Sequence, residues 1–297
     1  MQGKIKVIYG PTASGKSAKA IELAIADGGV IINADSQQVY RELPILSAQP
    51  GPADMAKAPH RMYGVLSGED RMDAFRWSEM AASEIRAAWE AGKTPYVVGG
   101  TGFYIKALAQ GLSVVPAIPR PIRDMVRKQG LKSKISELYE ILKGYDPDLA
   151  TRINPHDKQR ILRGIETFRA TGMPLSSWQR QRKIKPFPEA EFEFFAVDFP
   201  MDELERRIEA RTDAMIKAGV VDEVRAMLAM GYPEGAPIYK IIGVDAVSAH
   251  IGGKMSAGDM RAAIVLATRQ YAKRQRTFFR TQMEHAQNPP PPAGAVA

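Results

Sequence analysis

Cysteine is absent from the sequence, and histidine is scarce. With no Cys among 297 residues, the chain has no disulfide framework, no thiolate metal site and no cysteine nucleophile. The four histidines are too scattered to indicate a metal cluster; they are His60, His156, His250 and His285. No apolar run approaches the roughly 18 residues that span a bilayer, and no signal-peptide segment precedes the first predicted strand. These absences predict a cytoplasmic protein without a membrane partner.

The positive charge of the chain is concentrated in two regions. The net charge is +8, and residues 120–186 carry 16 Lys and Arg against 7 Asp and Glu. Residues 260–283 carry six Lys and Arg and no acidic residue, so the rest of the chain is net acidic. This distribution favours a polyanionic partner, most simply a nucleic acid. Ordinary solvated basic helices are the alternative.

Residues 10–17, here called the phosphate loop, read GPTASGKS and follow the apolar run Ile5–Tyr9. A helical pattern follows the loop, so G-x-x-x-x-G-K-S stands in the strand–loop–helix context that its mechanism requires. The backbone N–H groups and the helix N-terminus form a site for phosphate oxygens. We expect Lys16 to neutralise the phosphates and the Ser17 hydroxyl to bind Mg²⁺. An incidental Gly-rich turn is the alternative.

Two further strand ends are expected beside the phosphate loop. The buried strand pattern at 30–34 ends just before Asp35, and the pattern at 94–98 runs into Gly99-Gly100-Thr101. The carboxyl ends of parallel strands meet at one ligand crevice, so Asp35 and Thr101 are predicted to face the loop. For Asp35, a cap or turn residue at the strand end is the alternative. The second strand lacks the Asp that nucleotide-hydrolysing proteins usually carry there. The loop is therefore expected to hold a phosphate leaving group without activating water.

The order of predicted elements indicates an α/β fold, a P-loop parallel sheet flanked by helices, with a helical insertion domain. We expect the first part of the core at 1–112, a basic helical insertion at 113–188, the second part of the core at 189–287 with the basic C-terminal helix, and a disordered tail at 288–297. A polar linker is predicted at 179–188. In the predicted helix 202–218, Arg207 and Arg211 share one face, and either could reach a diphosphate; surface arginines are the alternative.

The last predicted helix, 256–283, places four cations on one face. Their spacings of four, three and four residues bring like charges together; they are Arg269, Lys273, Arg276 and Arg280. Such repulsion is unfavourable in the free protein, and a nucleic-acid backbone would relieve it. Tyr271 and Phe278 lie on another face and are predicted to be core residues.

Five motifs together carry a resemblance to one family. They are GPTASGKS at 10–17, NADSQQVYR at 33–41, VGGTGFY at 98–104, DKQRILR at 157–163 followed by Thr171-Gly172, and TRQYAKRQ at 268–275. With them the chain resembles the tRNA dimethylallyltransferases, which modify the adenosine 3′ of the anticodon. The resemblance extends from Gly10 to Arg280.

The resemblance implies a function and a set of site residues. The phosphate loop would bind the diphosphate of dimethylallyl diphosphate with Mg²⁺, so its residues are Gly10, Pro11, Thr12, Ala13, Ser14, Gly15, Lys16 and Ser17. Asp35 would be the general base for the exocyclic amine of adenine, with Lys16, Thr101 and Arg211 stabilising the departing diphosphate. The implied contacts with the tRNA anticodon stem-loop are Asp35, Ser36, Gln37, Gln38, Thr101, Arg123, Gln159, Arg160, Ile161, Leu162, Arg163, Arg269, Lys273, Arg276 and Arg280. A monomer is expected.

The sequence departs from the family pattern mainly at 42–50, which reads ELPILSAQP and leaves the shape of that loop open. The family's usual Ile-Gly-Tyr and Thr-Trp-Phe-Arg are Ile-Gly-Val at 242–244 and Thr-Phe-Phe-Arg at 277–280. Three other functions are considered: a transferase that prenylates free AMP, a P-loop small-molecule kinase, and a nucleic-acid-binding protein with a vestigial site. The basic regions disfavour the first, the missing strand-end Asp the second, and the intact site residues the third.

Overall fold

The computed structural model describes residues 3–283. The strands are β1 (Lys4–Tyr9), β2 (Val30–Asn33), β3 (His60–Arg61), β4 (Pro95–Gly99), β5 (Leu112–Ser113), β6 (Lys183–Ile184) and β7 (Glu191–Ala196). The helices are α1 (Lys16–Asp27), α2 (Pro52–Met55), α3 (Ala74–Glu90), α4 (Gly102–Gln110), α5 (Arg120–Lys132), α6 (Ile135–Tyr145), α7 (Pro147–Arg152), α8 (Lys158–Thr171), α9 (Leu175–Arg180), α10 (Met201–Lys217), α11 (Val220–Ala229), α12 (Val244–Ile251) and α13 (Ala257–Gln282).

Five strands form a parallel sheet in the order β3-β2-β4-β1-β7. Every residue of β2 and β4 is buried, as expected for strands covered by helices on both faces. The predicted α/β class with a parallel sheet is confirmed. All five carboxyl ends point the same way, so the turns that follow β1, β2 and β4 gather at one edge.

The chain divides into two compact units, Met1–Ala109 with Pro186–Ala297 and Gln110–Lys185. The larger unit contains the five-stranded sheet. One part of its core joins the sheet to α1 through residues such as Ile8, Ile21 and Tyr96. A second cluster packs α11, α12 and α13 against residues 39–46, the loop that follows β2. That loop is thus fixed by the C-terminal helices.

The smaller unit is mostly helical and has its own apolar core. Leu138, Leu142, Ile161 and Ile165 form the centre of that core. The predicted boundaries at 113 and 188 lie three residues beyond the observed ones. The predicted linker 179–188 is corrected in part, because β6 lies within it and pairs antiparallel with β5. Backbone hydrogen bonds therefore join the two ends of the insertion.

Two predictions from the sequence concern membrane insertion and the C-terminal tail. Among residues 3–283, no helix is long and apolar enough to cross a membrane. The predicted disordered tail at 288–297 lies outside the described residues.

Candidate active site

The phosphate loop joins β1 to α1 at the carboxyl edge of the sheet. Its backbone is left-handed at Gly15 and also at Ala13, which has φ 64°. Gly10 has no room for a side chain, since an added Cβ would lie 2.0 Å from the Val197 carbonyl oxygen. Within the described residues, the buried Ser14 Oγ has no hydrogen-bond partner. A buried hydroxyl without a partner is costly, so a ligand oxygen is the natural partner for it.

Lys16 is buried beneath the loop. It is 9% exposed, and its Nζ donates to the Pro11 carbonyl oxygen at 3.3 Å. Burial lowers the pKa of the Lys16 ammonium to about 8; the Asp35 carboxylate opposes this, and the Arg211 guanidinium adds to it. A bound anion would add negative charge next to this buried cation.

Arg211, on α10, lies at the same site. Its guanidinium donates to Thr12 Oγ1 at 3.1 Å and to the Ser47 carbonyl oxygen at 3.3 Å. The surface alternative is therefore wrong for Arg211, which reaches the phosphate loop as the family resemblance implied. A second, more open cavity lies against the phosphate loop, and Arg207 lines it together with Lys16 and Ser17. The Arg207 guanidinium lies 3.9 Å from the centre of the Phe199 ring.

Asp35 is held in the turn after β2. It is 7% exposed, its N–H donates to Asn33 Oδ1 at 2.8 Å, and its Oδ1 accepts from the Gln37 N–H at 3.0 Å. The buried Asn33 also donates to the Asp35 and Met62 carbonyl oxygens. These hydrogen bonds fix the backbone of the turn and so set the direction of the Asp35 carboxylate.

Thr101 follows β4 and is joined to the turn after β2. Its Oγ1 accepts from the Ser36 N–H at 2.9 Å and lies 3.2 Å from Ser36 Oγ. The predicted meeting of Asp35, Thr101 and the phosphate loop at one edge is therefore found.

Tyr271 was predicted to be core, and this is wrong, because it lines the cavity beside Asp35. Its hydroxyl interacts with Ser36, Gln37 and Thr101. Burial raises its pKa, and the Asp35 charge adds to this, so the phenol stays a neutral hydrogen-bond donor. Its position 11 residues before the end of α13 gives no signal for this, since only the packing of α13 decides which face meets the crevice.

The inner cavity, the one beside Asp35, has a mixed lining. Its polar lining residues include Thr12, Asp35, Ser47 and Arg211. Its apolar lining residues are Leu46, Ile208, Met215, Ile242 and Ile264. A small molecule with an anionic head and a short hydrocarbon tail suits this arrangement.

The atypical segment 42–50 forms one wall of the inner cavity. The N–H groups of Ile45 and Leu46 donate to the two Glu223 carboxylate oxygens at 2.6 and 2.8 Å. The Gln38 amide donates to the Ser47 and Ala48 carbonyl oxygens at 3.0 and 2.7 Å. Gln38 is predicted to contact tRNA, but its side-chain amide donates its hydrogen bonds to this segment. Neither Gln38 nor Glu223 was predicted to support the wall.

The prediction for the basic face of α13 is corrected, because two of its four cations are paired with acidic side chains. Arg269 pairs with Glu205 at 2.5 Å, and Arg276 pairs with Asp198 at 2.8 Å. These acidic partners already relieve part of the repulsion among the four cations, and the contacts of this face with tRNA stay predictions. Lys273 and Arg280 are exposed.

In the smaller unit, the predicted tRNA contacts differ in exposure. Gln159 and Arg160 are exposed on α8, and Arg160 pairs with Asp157 at 3.2 Å. Ile161 is fully buried in the core, so the prediction that its side chain contacts RNA is wrong. Leu162 is half-buried and packs against Gly130.

Arg123 and Arg163 are also half-buried. Arg123 donates to the Ile118 carbonyl oxygen at 3.3 Å. The roles of these two residues in tRNA binding stay predictions.

Comparison with known proteins settles the family. The family model described as "IPP transferase" matches residues 38–282, and that described as "Isopentenyl transferase" matches residues 3–69. The tRNA dimethylallyltransferase of Rhodospirillum centenum is 42% identical over 95% of this chain and 90% of its own length. That of Azorhizobium caulinodans is 43% identical over 93% of this chain and 89% of its own. The chain belongs to the tRNA dimethylallyltransferase family.

Solved structures of the tRNA dimethylallyltransferase family share this fold. A eukaryotic dimethylallyltransferase acting on tRNA matches with a TM-score of 0.80 at 25% identity, over 96% of this chain and 72% of its own. The tRNA isopentenylpyrophosphate transferase of Staphylococcus epidermidis matches with a TM-score of 0.65 at 30% identity, over 95% of this chain and 91% of its own. The resemblance drawn from the five motifs is confirmed.

Proposed function

We propose that this chain transfers the dimethylallyl group of dimethylallyl diphosphate to the exocyclic N6 of the adenosine 3′ of the anticodon in tRNA. One observation carries the choice of donor: Arg211 and Thr12 line the inner cavity together with five apolar side chains. A diphosphate bound by Arg211 and Thr12 would bring a short hydrocarbon chain against those apolar side chains. A nucleoside would place polar ring atoms against them, which is unfavourable.

The reaction needs a base and a site for the leaving group. The adenine N6 attacks C1 of the allyl chain, a C–N bond forms, and the C–O bond breaks with its electron pair going to the diphosphate. Asp35 accepts the proton that N6 loses. Lys16 and Arg211 would stabilise the negative charge that accumulates on the diphosphate, and the hydroxyls of Ser14 and Thr101 would serve as further donors.

Mg²⁺ is the proposed cofactor. Among residues 3–283, no three His, Asp or Glu side chains gather to hold a metal, so the protein alone does not build a cage. Mg²⁺ commonly uses few protein ligands together with substrate phosphates, and the exposed Ser17 hydroxyl on the first turn of α1 suits that role. When bound, the ion would neutralise charge on the departing diphosphate.

The tRNA would present its adenosine at the edge of the inner cavity. An adenine stacked in the anticodon loop cannot reach Asp35, so it must leave the stack, as other base-modifying enzymes require. Gln37 and Tyr271 line the inner cavity together with Asp35. Tyr271 donates from a neutral phenol, which suits a ring nitrogen of the base.

One assay tests the function against its rivals. The full-length protein is incubated with labelled dimethylallyl diphosphate, Mg²⁺ and unmodified tRNA, with AMP as the competing acceptor. We expect label in tRNA, and none in a control tRNA with guanosine in place of the target adenosine. Label in AMP alone would favour an adenylate prenyltransferase. Phosphate transfer from ATP without prenyl transfer would favour a kinase.

A further inference from the structure

Gln275 of α13 bridges the phosphate loop and the turn after β4. Its side-chain Oε1 accepts from the Thr12 N–H at 2.8 Å, and its Nε2 donates to the Gly100 carbonyl oxygen at 2.9 Å. The side chain is buried, with 5% exposure. Both polar ends of the amide are therefore paired with backbone groups of the two loops.

The bridge lies where the sheet itself no longer joins these loops. β1 and β4 are neighbours, and their register ends at the pair Tyr9 and Gly99. One residue further, β1 continues into the phosphate loop and β4 continues into the Gly100-Thr101 turn. The Gln275 amide supplies a donor and an acceptor there, as a further backbone pair would.

Gly100 is shaped to receive this amide. A Cβ at Gly100 would lie 2.1 Å from Gln275 Nε2 and 3.2 Å from the Gly10 carbonyl oxygen. A distance under 3 Å between such atoms is a collision, so any side chain at 100 would displace the amide. The glycine and the glutamine are thus two halves of one contact.

Thr12 connects this contact to the anion site. Its N–H is used by Gln275, whereas its Oγ1 accepts from Arg211. Movement of Thr12 would therefore move the hydroxyl that orients the Arg211 guanidinium. Thr101, next to Gly100, carries the second hydroxyl of the site.

We propose that Gln275 is a positioning residue for diphosphate binding, which fixes Thr12 and Arg211 relative to the Gly100-Thr101 turn. This inference rests on the proposed function. It predicts that loss of the amide weakens the diphosphate site while leaving tRNA affinity intact. A merely structural role would instead lower thermal stability and affect both ligands alike.

The test compares Gln275→Met with Gln270→Met. Methionine is similar in length but lacks both hydrogen bonds, and Gln270 is exposed on the same helix. Calorimetric titration with inorganic diphosphate and Mg²⁺ is expected to show about tenfold weaker binding or more for Gln275→Met. The KM for dimethylallyl diphosphate should rise by a similar factor, and the Kd for tRNA should stay within about twofold.

Two results would overturn the inference. One is diphosphate binding by Gln275→Met equal to that of Gln270→Met. The other is an equal loss of diphosphate and tRNA affinity together with a lower Tm. If the wild-type protein binds no diphosphate and transfers no prenyl group, the proposed function itself fails; unchanged binding in an active Gln275→Met protein removes only the role of Gln275.

A double-mutant cycle gives a second measurement in case Gln275→Met folds poorly. Gly100→Ala should weaken diphosphate binding because the new methyl group displaces the Gln275 amide. Adding Gln275→Ala removes the displaced group, so the double variant should bind no more weakly than Gly100→Ala alone. Strictly additive losses would contradict the direct coupling of the two residues.

Discussion

Replacing Lys16 by Met is expected to stabilise the free protein and to abolish diphosphate binding. The Lys16 ammonium is buried beneath the phosphate loop with the Pro11 carbonyl at 3.3 Å, and burial is the main cause that lowers its pKa to about 8. The charged form is therefore less favourable in the folded chain than in the unfolded one. Methionine fills similar space without the charge.

The magnitude follows from the lowered pKa. At about 1.4 kcal/mol for each pKa unit, a change from 10.5 to about 8 corresponds to a cost of about 3 kcal/mol at neutral pH. Because the folded-state pKa is the lower one, the unfolded chain holds more protons between pH 8 and 10.5, and wild-type stability rises with pH in that window. Some of the gain is lost to imperfect packing of the new side chain.

Urea unfolding at pH 7 and at pH 10 measures the effect, with exposed Lys57→Met as the matched control. We expect Lys16→Met to be more stable than wild type by about 1–3 kcal/mol at pH 7, with a smaller difference at pH 10 and little change in the control. Saturating diphosphate with Mg²⁺ should stabilise only the wild type. A less stable Lys16→Met protein at pH 7, or a difference independent of pH, would refute the reasoning.

Three further substitutions test the catalytic base and the cavity wall. Asp35→Ala should lower turnover by about 10²-fold or more while tRNA binding in a filter assay survives; unchanged turnover would remove Asp35 as the base. Glu223→Ala leaves the N–H groups of Ile45 and Leu46 without their carboxylate, so urea unfolding should show a loss of about 2–4 kcal/mol and the KM for dimethylallyl diphosphate should rise; an unchanged KM would separate this segment from the site. Leu46→Ala enlarges the inner cavity among its apolar lining residues, so the ratio of kcat/KM for geranyl over dimethylallyl diphosphate should increase, and a constant ratio would show that Leu46 does not limit chain length.

Local sequence patterns predict most of the fold and the residues at the centre of the site. The phosphate loop is recognisable because its glycines, Lys16 and Ser17 act through backbone geometry within eight residues. The strand ends at Asp35 and Gly99 follow from apolar runs bounded by turn residues. Parallel order then brings these ends to one edge without any knowledge of side-chain packing.

Contacts between distant segments could not be predicted in the same way. Gln275 meets Thr12 across 263 positions of sequence, and Glu223 meets Ile45 across 178. Neither pairing leaves a spacing signal, because the partner is a backbone N–H that every residue except proline carries. Arg269 likewise looked unpaired because its partner Glu205 belongs to another helix.

The end of β4 excludes the carboxylate that would activate water. A Cβ at Gly99 would lie 2.1 Å from the Ala34 carbonyl carbon, and one at Gly100 would lie 2.1 Å from Gln275 Nε2. Neither position admits an aspartate side chain, since backbone and a buried amide already fill the space. Thr101 is the first residue with room for a side chain, and its hydroxyl is bonded to Ser36. The same close packing that draws the turn against the phosphate loop thus leaves a hydroxyl group and no carboxylate at the end of β4, which suits a diphosphate that departs intact.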